Sequence, residues 1–219
     1  MTTFKEAFES MDKVEPPRKG LRVTRLECVK PDWIRVVNAA RRTVGKKPIS
    51  KEPSTLFKRK MLLSEHSPIR LLEYDFTWED IMQFVTTHLV RHHEGCEKFV
   101  HTQRGDRRDL LQEYGVTERG KLPQEALNGM DMACNAQSFI NISRKRLCSC
   151  ASKETREAWQ FVIEYLKEID PILAEKCAPE CIYRGFCPEY DPRPEHNKCC
   201  GYVYTDAYKK RLEEYRKVW

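Results

Sequence analysis

Residues 88–108 read HLVRHHEGCEKFVHTQRGDRR and hold four of the chain's six histidines and four of its arginines. Arginine offers a fixed charge and paired N–H donors that match phosphate oxygens. Such a density, off the end of a helix, suits the gripping of a phosphate-bearing ligand. A hydrated basic loop is the plainer reading of the same residues. His92, His93, Cys96 and His101 could also ligate a metal, although their spacing follows no standard zinc pattern.

A second constellation lies near the C-terminus. Cys177, Cys181, Cys187, Cys199 and Cys200, with His196, crowd into residues 177–200. Cys181, Cys187, His196 and Cys199 could close a tetrahedral zinc site, with Cys148 or Cys150 joining in space. The competing reading is a set of buried or free thiols, because the spacing is loose.

The whole chain bounds these possibilities. Its 219 residues suit one large domain with a short appendage. Hydrophobic residues make up 40%, enough for a core, and charged residues 33%, so the surface is heavily ionic. There is no apolar run of membrane-spanning length and no signal-peptide pattern at the start. The expected location is therefore cytoplasmic, and the ten cysteines read as thiols or metal ligands rather than disulfides. A formal net charge of +6 favours anionic partners.

The elements that position the two constellations follow from periodicity. Residues 1–20 read as a polar arm, and alternation over 21–28 predicts a half-buried strand. Trp33, Val36, Val37 and Ala40 share a helical face behind Asp32. Residues 45–53 form a loop, and Ser54 caps a helix carrying Leu56, Phe57, Met61 and Leu62. Residues 70–76 read as a strand. Thr77 to Asp80 has the pattern of a capping box before a helix with Ile81, Phe84, Val85 and Leu89 as its apolar stripe. Residues 90–114 lose all pattern and read as loop or broken helix. A long helix is expected over 124–147, and another over 153–169 with Ser152 as its cap. Asp170-Pro171 ends that helix and starts a short one. Residues 177–201 are irregular, and a short terminal helix carries Tyr208, Leu212 and Tyr215. The expected class is α+β, a helix-rich domain with a small, mostly antiparallel sheet. The expected divisions are 1–20, 21–185 and a Cys-rich extension over 186–219.

Across residues 21–185 the chain resembles the flavin-dependent thymidylate synthases. Arg91-His92-His93, then Thr102-Gln103-Arg104, resembles the family's Arg-His-Arg signature with its Ser-x-Arg end, one residue longer between the halves. Ala39 to Thr43 resembles the family's early flavin-contacting helix. Glu65-His66-Ser67-Pro68 resembles its Glu-Ser/Thr-Pro segment, and Asn135 to Arg146 its Asn-Ala-Arg helix. The departures are His93 and Gln137 in place of arginines, Arg70-Leu71 where the family has Glu-His, and Cys150 where it has a flavin-contacting His.

The resemblance implies a helix-rich fold, FAD as cofactor and dUMP as substrate. It also implies methylenetetrahydrofolate as one-carbon donor, NADPH as reductant, and a homotetramer with sites where subunits meet. By resemblance, Thr43, Ser67, Arg91, His92, His93, Asn135 and Asn141 would bind the flavin. His88, Thr102, Gln103, Arg104 and Arg146 would bind dUMP, with Arg146 the residue closest to the chemistry. Cys96 would sit in the signature loop, where the family has a Ser. Asn135 and Arg146, 11 residues apart, would project from nearly one helical face. No nucleic-acid or membrane partner is expected. Two alternatives stay open: a relative acting on another pyrimidine nucleotide or one-carbon unit, and a nucleic-acid-binding protein using the Arg/His loop and a zinc tail.

Overall fold

The computed structural model describes residues 21–30 and 32–218; the expected arm over 1–20 lies outside them. Among the described residues, four strands form one antiparallel sheet: β1 (Arg22–Lys30), β2 (Glu73–Met82), β3 (Cys96–Val100) and β4 (Leu127–Asn135), in the order β1-β2-β4-β3. Helices α1 (Trp33–Thr43) and α2 (Thr55–Leu63) follow β1, and α3 (Gln83–Leu89) follows β2 directly. The short α4 (Leu110–Glu113) precedes β4. After β4 come α5 (Ala136–Arg146), α6 (Lys153–Ile169), α7 (Pro171–Lys176), α8 (Glu180–Arg184) and α9 (Asp206–Arg216).

Most helix starts are written in their caps. The side chains of Asp32, Ser54, Ser152, Asp170 and Thr205 each accept from the backbone N–H three residues on, satisfying a donor that the first helical turn leaves open. The core forms where α5 and α6 lie against the sheet. Tyr74, Phe76 and Trp78 alternate along β2 and are fully buried, so period-2 alternation sends all three to one face. There Phe76 meets Phe139 of α5 at 5.3 Å and Trp159 of α6 at 6.1 Å between ring centroids. Trp159 Nε1 donates to Ser143 Oγ at 2.9 Å, so the indole is buried with its polar atom satisfied.

Several expected elements are corrected. The strand expected over 70–76 begins only at Glu73, because Ser67–Leu71 is a 3-10 turn. Thr77 to Asp80 is not a capping box: it continues β2, where the Thr77 hydroxyl bonds Asp131 of β4. The bulge between Trp78 and Ile81, with Asp80 at φ 56°, lets β2 run on to Met82. The long helix over 124–147 is two elements. Leu127–Asn135 is an inner strand buried on both faces for part of its length, so its apolar residues lack clean alternation and mimic a helical stripe. Only Ala136–Arg146 is helical. Within 90–114, β3 was missed; as an edge strand its outward side chains are charged or exposed, and only Cys96 is buried. One pair of cysteines also departs from the thiol reading, since Cys96 and Cys134 are direct cross-strand partners and are disulfide-bonded. Cys96 therefore belongs to β3 rather than to a loop.

Candidate functional site

The topology explains how residues distant in sequence meet. Asn135 is the last residue of β4 and the N-cap of α5, its Oδ1 accepting from Ser138 N at 3.0 Å. The segment linking α3 to β3 runs past this cap. Ser138 Oγ donates towards the carbonyls of Glu94 and Gly95, at 2.5 and 2.8 Å. Gly95, at φ +62°, sits so close that a Cβ there would strike the Asn135 amide and the Ser138 hydroxyl. This contact requires glycine twice over, for the left-handed backbone and for the missing side chain.

At the other end of α5, Arg146 meets the Arg/His segment. Its Nε donates to His92 Nε2 at 2.9 Å, and its Nη2 donates to the His88 carbonyl. A guanidinium can only donate, so His92 Nε2 must offer its lone pair and the ring is neutral with its proton on Nδ1. Electrostatics agree: burial, then the charges of Arg146, Lys98, His93 and Lys145, push His92 down to about 4. The Lys98 ammonium donates to the carbonyls of His92 and Cys96, tying β3 back onto the segment. His88 Nδ1 lies 2.8 Å from the Thr155 hydroxyl, which accepts from Ser152 Oγ. The imidazole and the hydroxyl share one hydrogen bond. Burial first, then Arg146 and Arg91, lower the His88 pKa as well.

Arg146 itself is held below its usual range by burial and by nearby Arg91. Among the described residues, neither Arg91 nor Arg146 is paired with a carboxylate, and Arg91 and His93 are exposed. The result is a half-buried cationic patch, open to solvent on one side and short of an anion.

The other expected residues are placed as follows. Asn141 Oδ1 accepts from Gln137 Nε2 at 3.2 Å and from Arg144 Nη1 at 3.3 Å. Gln137 Nε2 also donates to Glu65 at 2.6 Å, and Glu65 pairs with Arg144. Arg144 in turn stacks 3.5 Å from the centroid of the Tyr183 ring. Thr43 is exposed at the end of α1 with its hydroxyl on the Ala40 carbonyl, and Ser67 is exposed at the start of the 3-10 turn. Thr102 is exposed, and its Oγ1 accepts from Arg104 N at 3.2 Å. Arg104 forks onto Asp106 at 2.9 and 2.7 Å. Gln103 has a buried Nε2 without a partner. Among the described residues, no hydrogen bond or ion pair joins Thr43, Ser67, Thr102 or Arg104 to the His88–His92–Arg146 cluster. Sequence reasoning missed Lys98, Glu65 and Thr155. Only Glu65 carried a signal, through its place in the Glu-His-Ser-Pro segment.

A separate cavity of about 540 Å³ lies away from this patch, between α6 and the C-terminal segment.

No protein-family model matches the chain. The flavin-dependent thymidylate synthase of Pyrococcus horikoshii is 33% identical over 98 residues, a stretch covering 43% of this chain and 39% of that protein. The match thus spans well under half of the relative's length. The structure of a UMP/dUMP methylase, PolB, from Streptomyces cacaoi bound with 5-Br dUMP superposes with a TM-score of 0.57 at 16% identity, covering 77% of this chain and 96% of that one. Thymidylate Synthase X (ThyX) from Helicobacter pylori, solved with FAD and dUMP, gives a TM-score of 0.57 at 15% identity over 72% of this chain and 97% of that one. At these identities the structural likeness is one of fold. The chain therefore shares the fold of these solved structures and, over 98 residues, is similar in sequence to a flavin-dependent thymidylate synthase.

Proposed function

We propose that the chain is a flavin-dependent methylase that converts dUMP to dTMP, with methylenetetrahydrofolate as one-carbon donor and NADPH as reductant. The observation that carries this reading is the uncompensated cationic patch of Arg91 and Arg146 set against two neutral histidines. Two guanidiniums without carboxylates favour an incoming anion, and a partly buried site strengthens the attraction.

The donor set fits FAD together with a nucleotide. Arg91, His92, His93, Asn135 and Asn141, with Thr43 and Ser67, are assigned to the flavin. His88, Thr102, Gln103, Arg104 and Arg146 are assigned to dUMP. Gln103, with a buried amide nitrogen lacking a partner, has a donor to offer to a ligand. Bound FAD supplies the hydride that turns the transferred one-carbon unit into a methyl group.

What this chain contributes is binding, orientation and charge. Arg146 reaches His92 and the His88 carbonyl together, so one guanidinium fixes the geometry of both ligand-binding segments. The Ser152–Thr155–His88 chain orients the His88 ring, whose Nε2 is left for a ligand. His92 is held as an acceptor by Arg146 and cannot serve as a general acid until that bond breaks. The exposed Arg91 and His93 would lie where subunits meet if the chain assembles, as the resemblance implies, into a homotetramer.

A second reading is methylation of UMP as well as dUMP. It is favoured by the fold shared with PolB, whose structures are described with both 5-Br dUMP and 5-Br UMP. The test of the common proposal is the flavin content of the purified protein, measured by fluorescence after acid release. Close to one FAD per chain supports it. A folded protein that neither retains nor takes up FAD contradicts it.

A further inference from the structure

Seven of the ten cysteines line one cavity that the methylation chemistry does not use. Cys148 and Cys150 come from the turn after α5, Cys181 from α8, and Cys187, Cys199 and Cys200 from the C-terminal segment, with Cys177 in its buried wall. All seven are free thiols. Four separate stretches of chain therefore bring their sulfurs to one space of about 540 Å³.

Cys148 lies beside Cys150, and Cys187 beside Cys199. Among the described residues no three Cys, His, Asp or Glu donors converge as a mononuclear ion requires. His196, expected to complete a zinc tetrad, does not line the cavity. The tetrad of Cys181, Cys187, His196 and Cys199 is thus replaced by an all-cysteine ring that includes Cys148 and Cys150. A zinc ion draws four donors onto one atom, whereas an iron–sulfur cluster takes one thiolate at each of several irons.

From the ring of thiols around this cavity, we infer that it is a binding site for an iron–sulfur cluster, held by Cys148, Cys181, Cys187 and Cys199. These four are half-buried, while Cys150 and Cys200 are exposed and stand beside the ligands. Cys177 is fully enclosed and serves the core.

Charge fits the same occupant. The walls carry Arg156, Lys167, Lys198 and Arg211 against Glu164 and Glu189, a cationic excess suited to an anionic thiolate-ligated cluster. The fold gains as well. Between α8 and α9 the chain has only turns and one short 3-10 segment, so a cluster would fix a stretch that secondary structure alone does not hold.

The experiment is iron and acid-labile sulfide analysis of the full chain, purified without oxygen and without a histidine tag, then again after reconstitution with ferrous iron and sulfide. About four irons and four sulfides per chain are expected for a cubane cluster. They should vanish in Cys181→Ser and Cys187→Ser and persist in Cys150→Ser and Cys200→Ser. Flavin does not interfere, since neither element comes from it, so the result stands whether or not FAD binds. A chain that stays free of iron after reconstitution overturns the inference, as does about one tightly held zinc per chain that iron and sulfide do not displace. If a ligand variant fails to fold, the stoichiometry of the unaltered chain decides alone.

Discussion

Arg146 Nε donates to His92 Nε2 at 2.9 Å, across 54 residues of sequence. This one bond fixes a neutral imidazole beside a guanidinium and joins the end of α5 to the segment that follows α3. It sets the charge state of the patch, and a pH dependence follows from it.

His92 has its folded pKa lowered from 6.5 to about 4, and His88 shifts in the same direction. Above 6.5 these histidines are neutral in both folded and unfolded chains and contribute no slope. Below it the unfolded chain takes up protons that the folded chain refuses. Stability should therefore fall as pH drops from about 6.5 towards about 4 and level off for His92 beneath that. Denaturant unfolding across this range checks it, and His92→Gln should flatten the slope.

Arg146 and Arg104 should differ as nucleotide ligands. Arg146 has no carboxylate partner among the described residues, whereas Arg104 is exposed and already forked onto Asp106. Arg146→Ala should weaken dUMP binding by about 1.5–3 kcal/mol, the scale of a charge-assisted hydrogen bond. Arg104→Ala should cost less, because its guanidinium must first leave Asp106. Calorimetric titration of dUMP into both variants reads the difference, and FAD affinity should change less than dUMP affinity in each.

Glu65 anchors a buried network: it takes bonds from Gln137 and Arg144, and both ends of the ion pair are mostly buried. Glu65→Ala leaves a buried guanidinium without its counter-charge. A loss of about 3–5 kcal/mol in unfolding free energy is expected, measured by chemical denaturation. The neutral but hydrogen-bonding Glu65→Gln should lie between the two.

Gly95→Ala should disturb the site more than the core. Its φ of +62° and the adjacent Asn135 amide leave no place for a methyl group. The expected cost is about 1 kcal/mol or more, and flavin affinity should fall with it, because Asn135 must move. Thermal unfolding and FAD titration of the same variant separate the two effects.

Much of this organisation was legible in the sequence where one face of an element meets water. α6 begins at its expected Ser152 cap and buries Trp159, Val162 and Leu166 as its spacing requires. The α5 cluster was recognisable because Asn135, Asn141 and Arg146 fall in one segment. β4 was hidden because Asn128, Gly129 and Met130 are buried in succession, which breaks the alternation at its start, and because it runs directly into α5. β3 was hidden by the reverse problem, a five-residue edge strand of mostly polar residues. The partnership of Arg146 with His92 could not be read from spacing, since it depends on α5 following β4 back across the sheet. The ring of cysteines was largely visible: the C-terminal cysteines were evident and Cys148 or Cys150 was expected to join them, but the exclusion of His196 depends on the fold.

The most direct measurement is formation of dTMP from dUMP by the FAD-loaded protein, supplied with methylenetetrahydrofolate and NADPH and run beside UMP. The account predicts dTMP, none of it when FAD is stripped, and turnover greatly reduced in Arg146→Ala. A folded protein that holds FAD yet methylates neither nucleotide would contradict it.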